Sequence, residues 1–162
     1  MHRFVLFLTG DRALAEDLTS ETFVRLWTAR ERVDLATVRG YLFTIARNLF
    51  LQGRRAARPE SGAEASGELL RDARPGPDER AVAREELRAT LAALQTLSEI
   101  DRAAVLMRAD EALSYEEIGA ALGLSTVAAR VKVHRARLKL AGARLGGRTS
   151  TRTTDTAGEE ST

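Results

Sequence analysis

The sequence contains no cysteine, which excludes disulfides, cysteine nucleophiles and thiolate metal sites. That also suits the reducing cytoplasm, the expected location. Histidine is scarce, with two residues in 162, and no spacing of His, Asp and Glu suggests a metal site or a nucleophile–base pair. Neither an enzyme nor a bound metal or cofactor is expected. The carboxylate pair Glu116–Glu117 sits where a helix begins, so it reads as a cap rather than as general acid and base. Aromatic residues make up only 5% of the chain, leaving few large anchors for a core. No apolar run approaches the roughly 18 residues of a membrane span, and no membrane insertion is expected. The N-terminal MHRFVLFLTG is short, is followed at once by Asp11 and Arg12, and lacks a small-residue cleavage site. It reads as the tail of a core helix. Alternating Val, Ile, Thr and Tyr, the signature of strands, is nearly absent.

What is plentiful is Ala, Leu, Arg and Glu, all of which favour helix. With 44% apolar residues the chain can bury a core, and the fold class is all-α. Proline occurs three times, at 59, 75 and 77, among Gly62, Gly67, Gly76, Ser and Glu. Such a composition buries too little surface to offset chain entropy. It marks a flexible linker over 58–77 between two small helical domains, 1–57 and 78–145. The Gly/Thr/Ser-rich residues 146–162 form an expected disordered tail.

Net charge is only +2, but it is unevenly spread. No acid occurs from Leu35 to Pro59, which holds Arg39, Arg47, Arg54, Arg55 and Arg58. None occurs from Ile118 to Thr154, which holds Arg130, Lys132, Arg135, Arg137, Lys139 and Arg144 among others. Between them lie Glu60, Glu64, Glu68, Asp72, Asp78, Glu79, Glu85 and Glu86. Two basic stretches joined by an acidic bridge suggest two contacts with one long polyanion.

Asp11 is placed to cap a helix through Thr28, with Leu14, Leu18, Phe23, Val24, Leu26 and Trp27 as its apolar side. A second helix spans about 37–57. Leu42, Ile45, Ala46 and Leu49 form its buried stripe, and Arg47, Arg54 and Arg58 share another face. After the linker, Val82, Leu87, Leu91, Leu94 and Leu97 mark a further helix, and Ser98 caps the next.

Residues 114–140, SYEEIGAALGLSTVAARVKVHRARLKL, carry the most information. Ser114 and Glu117 form an S-x-x-E capping box. Ile118, Ala121 and Leu122 face inward, Gly119 allows a close crossing, and Gly123 stops the helix. Ser125 caps a second helix whose buried side is Ala129, Val133 and Ala136. This is a helix-turn-helix, whose second helix enters the DNA major groove. Its early residues Thr126, Val127 and Arg130 are candidates for base edges. Lys132, His134, Arg135 and Arg137 project elsewhere, and the basic residues further on suit phosphates.

LSEIDRAAVLMRADEALSYEEIGAALGLS and VHRARLKL resemble the minus-35-binding domain of extracytoplasmic-function sigma factors of bacterial RNA polymerase. TGDRALAEDLTSETFVRLW and VRGYLFTIARNLFLQGRR resemble that family's polymerase-binding helix and its minus-10 helix. The resemblance covers nearly all of residues 4–145, and the chain opens where the family's first long helix ends. It implies that Asp17, Glu21, Phe23, Arg25 and Trp27 bind core RNA polymerase. It implies that Arg47, Asn48, Gln52, Arg54 and Arg55 engage minus-10 DNA, where Tyr41, Phe43 and Phe50 are either base-stacking or core, Phe43 being read as core. In the recognition helix it implies promoter contacts from Ser125, Thr126, Val127, Arg130, Val131, Lys132, His134 and Arg135. An anti-sigma factor is an implied partner. Ser20 stands where the family usually has Gln, a departure expected to weaken binding to the polymerase clamp. In the recognition helix Ala128 and Val131 stand where hydroxyl residues are common, so the promoter read is expected to be unusual. A plain transcriptional regulator is the main rival, but residues 1–57 are short for a sensor. A protein-only adaptor fits poorly with the basic second helix.

Overall fold

Phe4, Val5 and Leu8 recur at helical spacing and are fully buried in α1 (His2–Thr9), so the N-terminal apolar stretch is a core helix. The computed structural model describes residues 1–34, 37–57, 78–109 and 112–150, with backbone only at 78–81 and 144–150. Every regular element among these residues is helical. Gly10 ends α1 at φ 74°, a left-handed conformation that carries no Cβ penalty for glycine. Asp11 then caps α2 (Arg12–Ala29), accepting a hydrogen bond from the Leu14 N–H at 2.9 Å. A 3-10 turn at Arg30–Arg32 precedes α3 (Val38–Ala56). The second half consists of α4 (Asp78–Gln95), α5 (Glu99–Ala109), α6 (Tyr115–Leu122) and α7 (Thr126–Ser150).

Three details depart from the pattern read in the sequence. Leu14, Phe23, Val24 and Trp27 are exposed rather than buried. The inner stripe of α2 is Ala15 and Thr22, with Leu18 and Leu26 partly covered, because small residues let α2 lie close against α1 and α3. The Thr22 hydroxyl is buried but satisfied, donating to the Leu18 carbonyl at 2.6 Å. Val82 is exposed near the start of α4, while Leu91, Leu94 and Leu97 are buried as read. Finally, α7 continues through Gly146 and Gly147 to Ser150, so residues 146–150 are helical. Extending a long helix needs no new nucleus, which offsets the poor propensity of two glycines. The expected linker, with Arg58, and residues 151–162 lie outside the described residues.

The helix-turn-helix forms as its residues dictate. The Ser114 hydroxyl accepts from the Glu117 N–H at 3.1 Å, and the Glu117 carboxylate accepts from the Ser114 N–H at 2.6 Å. Hydrogen bonds of the carboxylate to Ser114, its backbone N–H first and its side chain second, hold the Glu117 carboxyl below the usual carboxylate range. Slight desolvation opposes them and Arg39 assists. Gly123 closes α6 at φ 68°, and an added Cβ at Gly119 would lie 2.8 Å from the Leu124 carbonyl oxygen. Ser125 caps α7, accepting from the Ala128 N–H at 3.1 Å. Ala129, Val133 and Ala136 turn inward and pack α7 on α5 and α6.

The two halves also share one core. Phe4, Phe43 and Phe50 belong to the same buried cluster as Leu94, Leu97, Met107 and Ile118. Phe4 and Phe43 meet edge to face, 4.7 Å between centroids. Helix α1 packs on α4 and α5, and α3 on α6. At the junction Arg102 of α5 is buried. Its guanidinium donates to the Leu8 carbonyl at 2.6 Å, to the Leu97 carbonyl at 3.2 Å and to the Gln95 side chain. Burial pushes its pKa down, a neighbouring Arg54 adds to this, and Glu99 opposes it.

Arg102→Met removes the donor from two buried carbonyls, and a loss of about 1–3 kcal/mol for each unpaired acceptor is expected in denaturant unfolding. A variant as stable as the parent would show that the junction does not depend on it. Glu117 contributes through its charged form. Its folded pKa is depressed, so the stabilisation is present above the unfolded carboxylate value and is lost as pH falls through the folded one. Glu117→Gln is therefore expected to lower thermal stability at neutral pH, with the gap to wild type closing on acidification. A gap independent of pH would contradict this origin.

Candidate nucleic-acid interface

Helix α7 presents the face that the turn geometry frees. Thr126, Val127, Arg130, Val131, His134 and Arg135 are all exposed, as is the cap Ser125. Val127, Val131 and Leu138 recur on one outward line with His134, which places methyl groups where thymine methyls could be met. Leu138 was not singled out in the sequence, where its exposure could only be inferred from the buried phase of Ala129, Val133 and Ala136. The same line has no acid, and Arg137 and Lys139 flank it. Arg130 lies with its guanidinium carbon 5.2 Å from the centre of the Tyr115 ring.

Lys132 is placed differently. It is only partly exposed, and its ammonium lies 3.3 Å from Asp101 Oδ1 of α5. That oxygen is buried and makes no hydrogen bond of good geometry, so the pair is a charge contact. Lys132 therefore faces the scaffold while its neighbours face outward.

The residues expected to engage minus-10 DNA divide between two faces of α3. Asn48, Gln52 and Arg55 follow at helical spacing and are exposed together. Arg54 is exposed as well, over Phe50 at 5.7 Å. Arg47 turns to the second half and forms a two-point pair with Glu99, at 2.6 and 2.8 Å. Both side chains are about 15% exposed, so solvent screens the pair weakly. Close by, the Thr44 hydroxyl reaches the Ala121 carbonyl at 3.3 Å. Phe43 and Phe50 are buried, whereas Tyr41 is exposed. Glu99 carried no sequence signal, because its partner is 52 positions away.

On α2 the expected polymerase-binding set is all on the surface. Asp17 and Glu21 are exposed, and Glu21 pairs with Arg25 one turn on at 2.8 Å. Trp27 is 70% exposed and Phe23 49%. With Val24, Val33 and Val38 they line an open, apolar groove of about 530 Å³. The Arg30 guanidinium lies 4.7 Å from the Trp27 ring and donates to the Trp27 carbonyl. Among the described residues no helix is long and apolar enough to cross a membrane, and no group of acids and histidines could hold a metal.

Comparison with known proteins matches both halves. The family model of sigma-70 region 2 matches residues 1–60, and that of sigma-70 region 4 matches residues 87–140. The chain is 37% identical over 153 residues to the ECF RNA polymerase sigma factor SigE of Mycolicibacterium smegmatis, covering 86% of this chain and 55% of that protein. It is 33% identical to SigL of Mycobacterium tuberculosis (82% and 75%) and 34% identical to the sigma factor CarQ of Myxococcus xanthus (85% and 78%). Among solved structures, the sigma factor RpoE of Bartonella quintana, crystallised with the anti-sigma factor NepR, matches with a TM-score of 0.73 at 25% identity, covering 88% of each chain. Region 2 and region 4 thus occur in order on one chain whose relatives are ECF sigma factors, and the protein belongs to the extracytoplasmic-function group of the sigma-70 family.

Proposed function

We propose that this chain is a promoter-specificity subunit of RNA polymerase. The outer face of α2 docks on core polymerase through Phe23, Trp27, Asp17, Glu21 and Arg25. The exposed stripe Asn48, Gln52 and Arg55, with Arg54 and Arg47, engages the minus-10 element. Amides bond base edges there, and arginines hold strand phosphates. Helix α7 enters the major groove of the minus-35 element through Ser125, Thr126, Val127, Arg130, Val131, His134 and Arg135, with Lys132 at its edge. The chain acts on the genome in the cytoplasm, by recognition and without a catalytic centre of its own. The observation that carries this reading is the pairing, in one chain, of an acid-free recognition helix with a separate exposed aromatic groove. A regulator that only binds DNA has no use for the second.

Geometry requires that the two halves part. The minus-10 and minus-35 elements lie about 25 base pairs, or about 85 Å, apart along the duplex. A docked chain of this size has a radius of gyration of about 15 Å and cannot reach both. The docked arrangement is then the state that an anti-sigma protein holds. The likeness of the whole chain to a sigma factor bound to its anti-sigma factor supports this. Arg47 is shared between the two states: Glu99 occupies it when docked, and phosphate takes it when open.

Run-off transcription with core polymerase tests the assignment directly. Added chain is expected to produce new, discrete transcripts from a pool of promoter fragments. DNA binding without polymerase-dependent transcripts would favour a plain regulator. Trp27→Ala is expected to weaken core polymerase binding by about 2 kcal/mol or more, roughly thirty-fold in Kd, as buried aromatic anchors do. Unchanged affinity would remove the groove from the interface. Glu99→Gln is expected to lengthen the distance between fluorophores on α2 and α7 in the free chain, because it releases Arg47 without altering it. An unchanged distance would show that the pair does not hold the halves together.

A further inference from the structure

Tyr115 opens α6, at the first position after the Ser114 cap. Its ring is partly buried and packs against the core, and the capping box on either side of it fixes its backbone. Two guanidinium groups lie over this ring. Arg108 of α5 has its Cζ 5.1 Å from the ring centre, and Arg130 of α7 has its Cζ at 5.2 Å. They are not equivalent. Arg108 is partly buried and donates to the Leu113 carbonyl at 2.8 Å, which ties it to the scaffold. Arg130 is exposed on the outward side of the recognition helix. Among the described residues, one cation is thus fixed by a hydrogen bond, and the contact of the other is with the ring.

A guanidinium over an aromatic face is attracted by the ring's quadrupole, and this restricts a long side chain that would otherwise sample many rotamers. Ordering such a side chain on binding is unfavourable, so a contact made by a group already ordered is stronger and more directional.

We propose that Tyr115 is a positioning residue for minus-35 readout, holding the Arg130 guanidinium in the orientation in which it meets a base pair. This rests on the reading of α7 as the helix that enters the major groove. The ligand chemistry is that of guanine, whose O6 and N7 accept two parallel hydrogen bonds from arginine. Tyr115 touches no DNA in this scheme. Its effect is confined to the position that Arg130 reads.

The test is selection of duplexes randomised over the minus-35 element by the full chain with core polymerase, comparing wild type, R130A, Y115F and Y115L. R130A identifies the position read, as the column of the selected motif that loses its preference. Y115L is expected to reduce the preference in that column about two- to five-fold, the range a ring–cation contact supplies, and to leave the other columns intact. Y115F, which keeps the ring, is expected to retain the wild-type preference. Thermal melts of both variants accompany the selection. The proposal is overturned if Y115L selects the wild-type motif, or if Y115F loses as much as Y115L. It is also overturned if Y115L lowers every column alike with a fall in melting temperature, which is what a purely structural tyrosine would do. If R130A flattens no column, Arg130 holds phosphate, and the base-reading assignment fails with the proposal. That outcome is told apart by R130A alone.

Discussion

The arrangement of this protein turns on a buried guanidinium. Arg102 sits at the end of α1, the end of α4 and the start of α5, and it bonds carbonyls from both halves of the chain. Helix ends leave carbonyls without partners, and a buried cation demands acceptors. Each need meets the other at one point. Around it Phe4, Phe43 and Phe50 join Leu94 of α4, Leu97 and residues of α5 and α6 in one apolar cluster. Neither half has many aromatics to spare, and sharing them closes a core that each would otherwise fill less well.

That shared core has a functional consequence. The surface of α3 that buries Phe43 and Phe50 is next to the face that carries Arg47, and this arginine meets Glu99 of the second half. Asn48, Gln52 and Arg55 stay outside because they lie round the helix from it. The same helix therefore has Arg47 paired with the second half, and Asn48, Gln52, Arg54 and Arg55 exposed. Helix α2 shows the complementary economy. It packs through alanine and threonine, and leaves Trp27, Phe23 and Val24 on the surface, where a partner can bury them.

The turn geometry of the recognition unit is set locally. Its cap, its left-handed glycine and its second cap lie within residues 114–128, and its inner face follows from helical phase. A site built on capped helices holds its side chains more precisely than one built on loops. Charge on α7 is sorted by the same phase. Lys132 turns in toward Asp101, while Arg130, His134 and Arg135 turn out.

The sequence by itself determined the helices, their caps, the helix-turn-helix and the exposed basic face of α7. These are properties of neighbours in the chain: hydrogen bonds that span three or four residues, glycine backbone angles and the period of apolar residues. It also marked the surface of α2, though as an apolar side rather than an outward one. Only the tertiary structure decided that Leu14, Phe23, Val24 and Trp27 face solvent, that Arg47 meets Glu99, that Lys132 meets Asp101, and that Tyr115 lies under both Arg108 and Arg130. Helical phase says which residues share a face, but not which face another helix will cover. That choice depends on how closely small residues such as Ala15 let helices approach, and on charges brought together from distant parts of the chain.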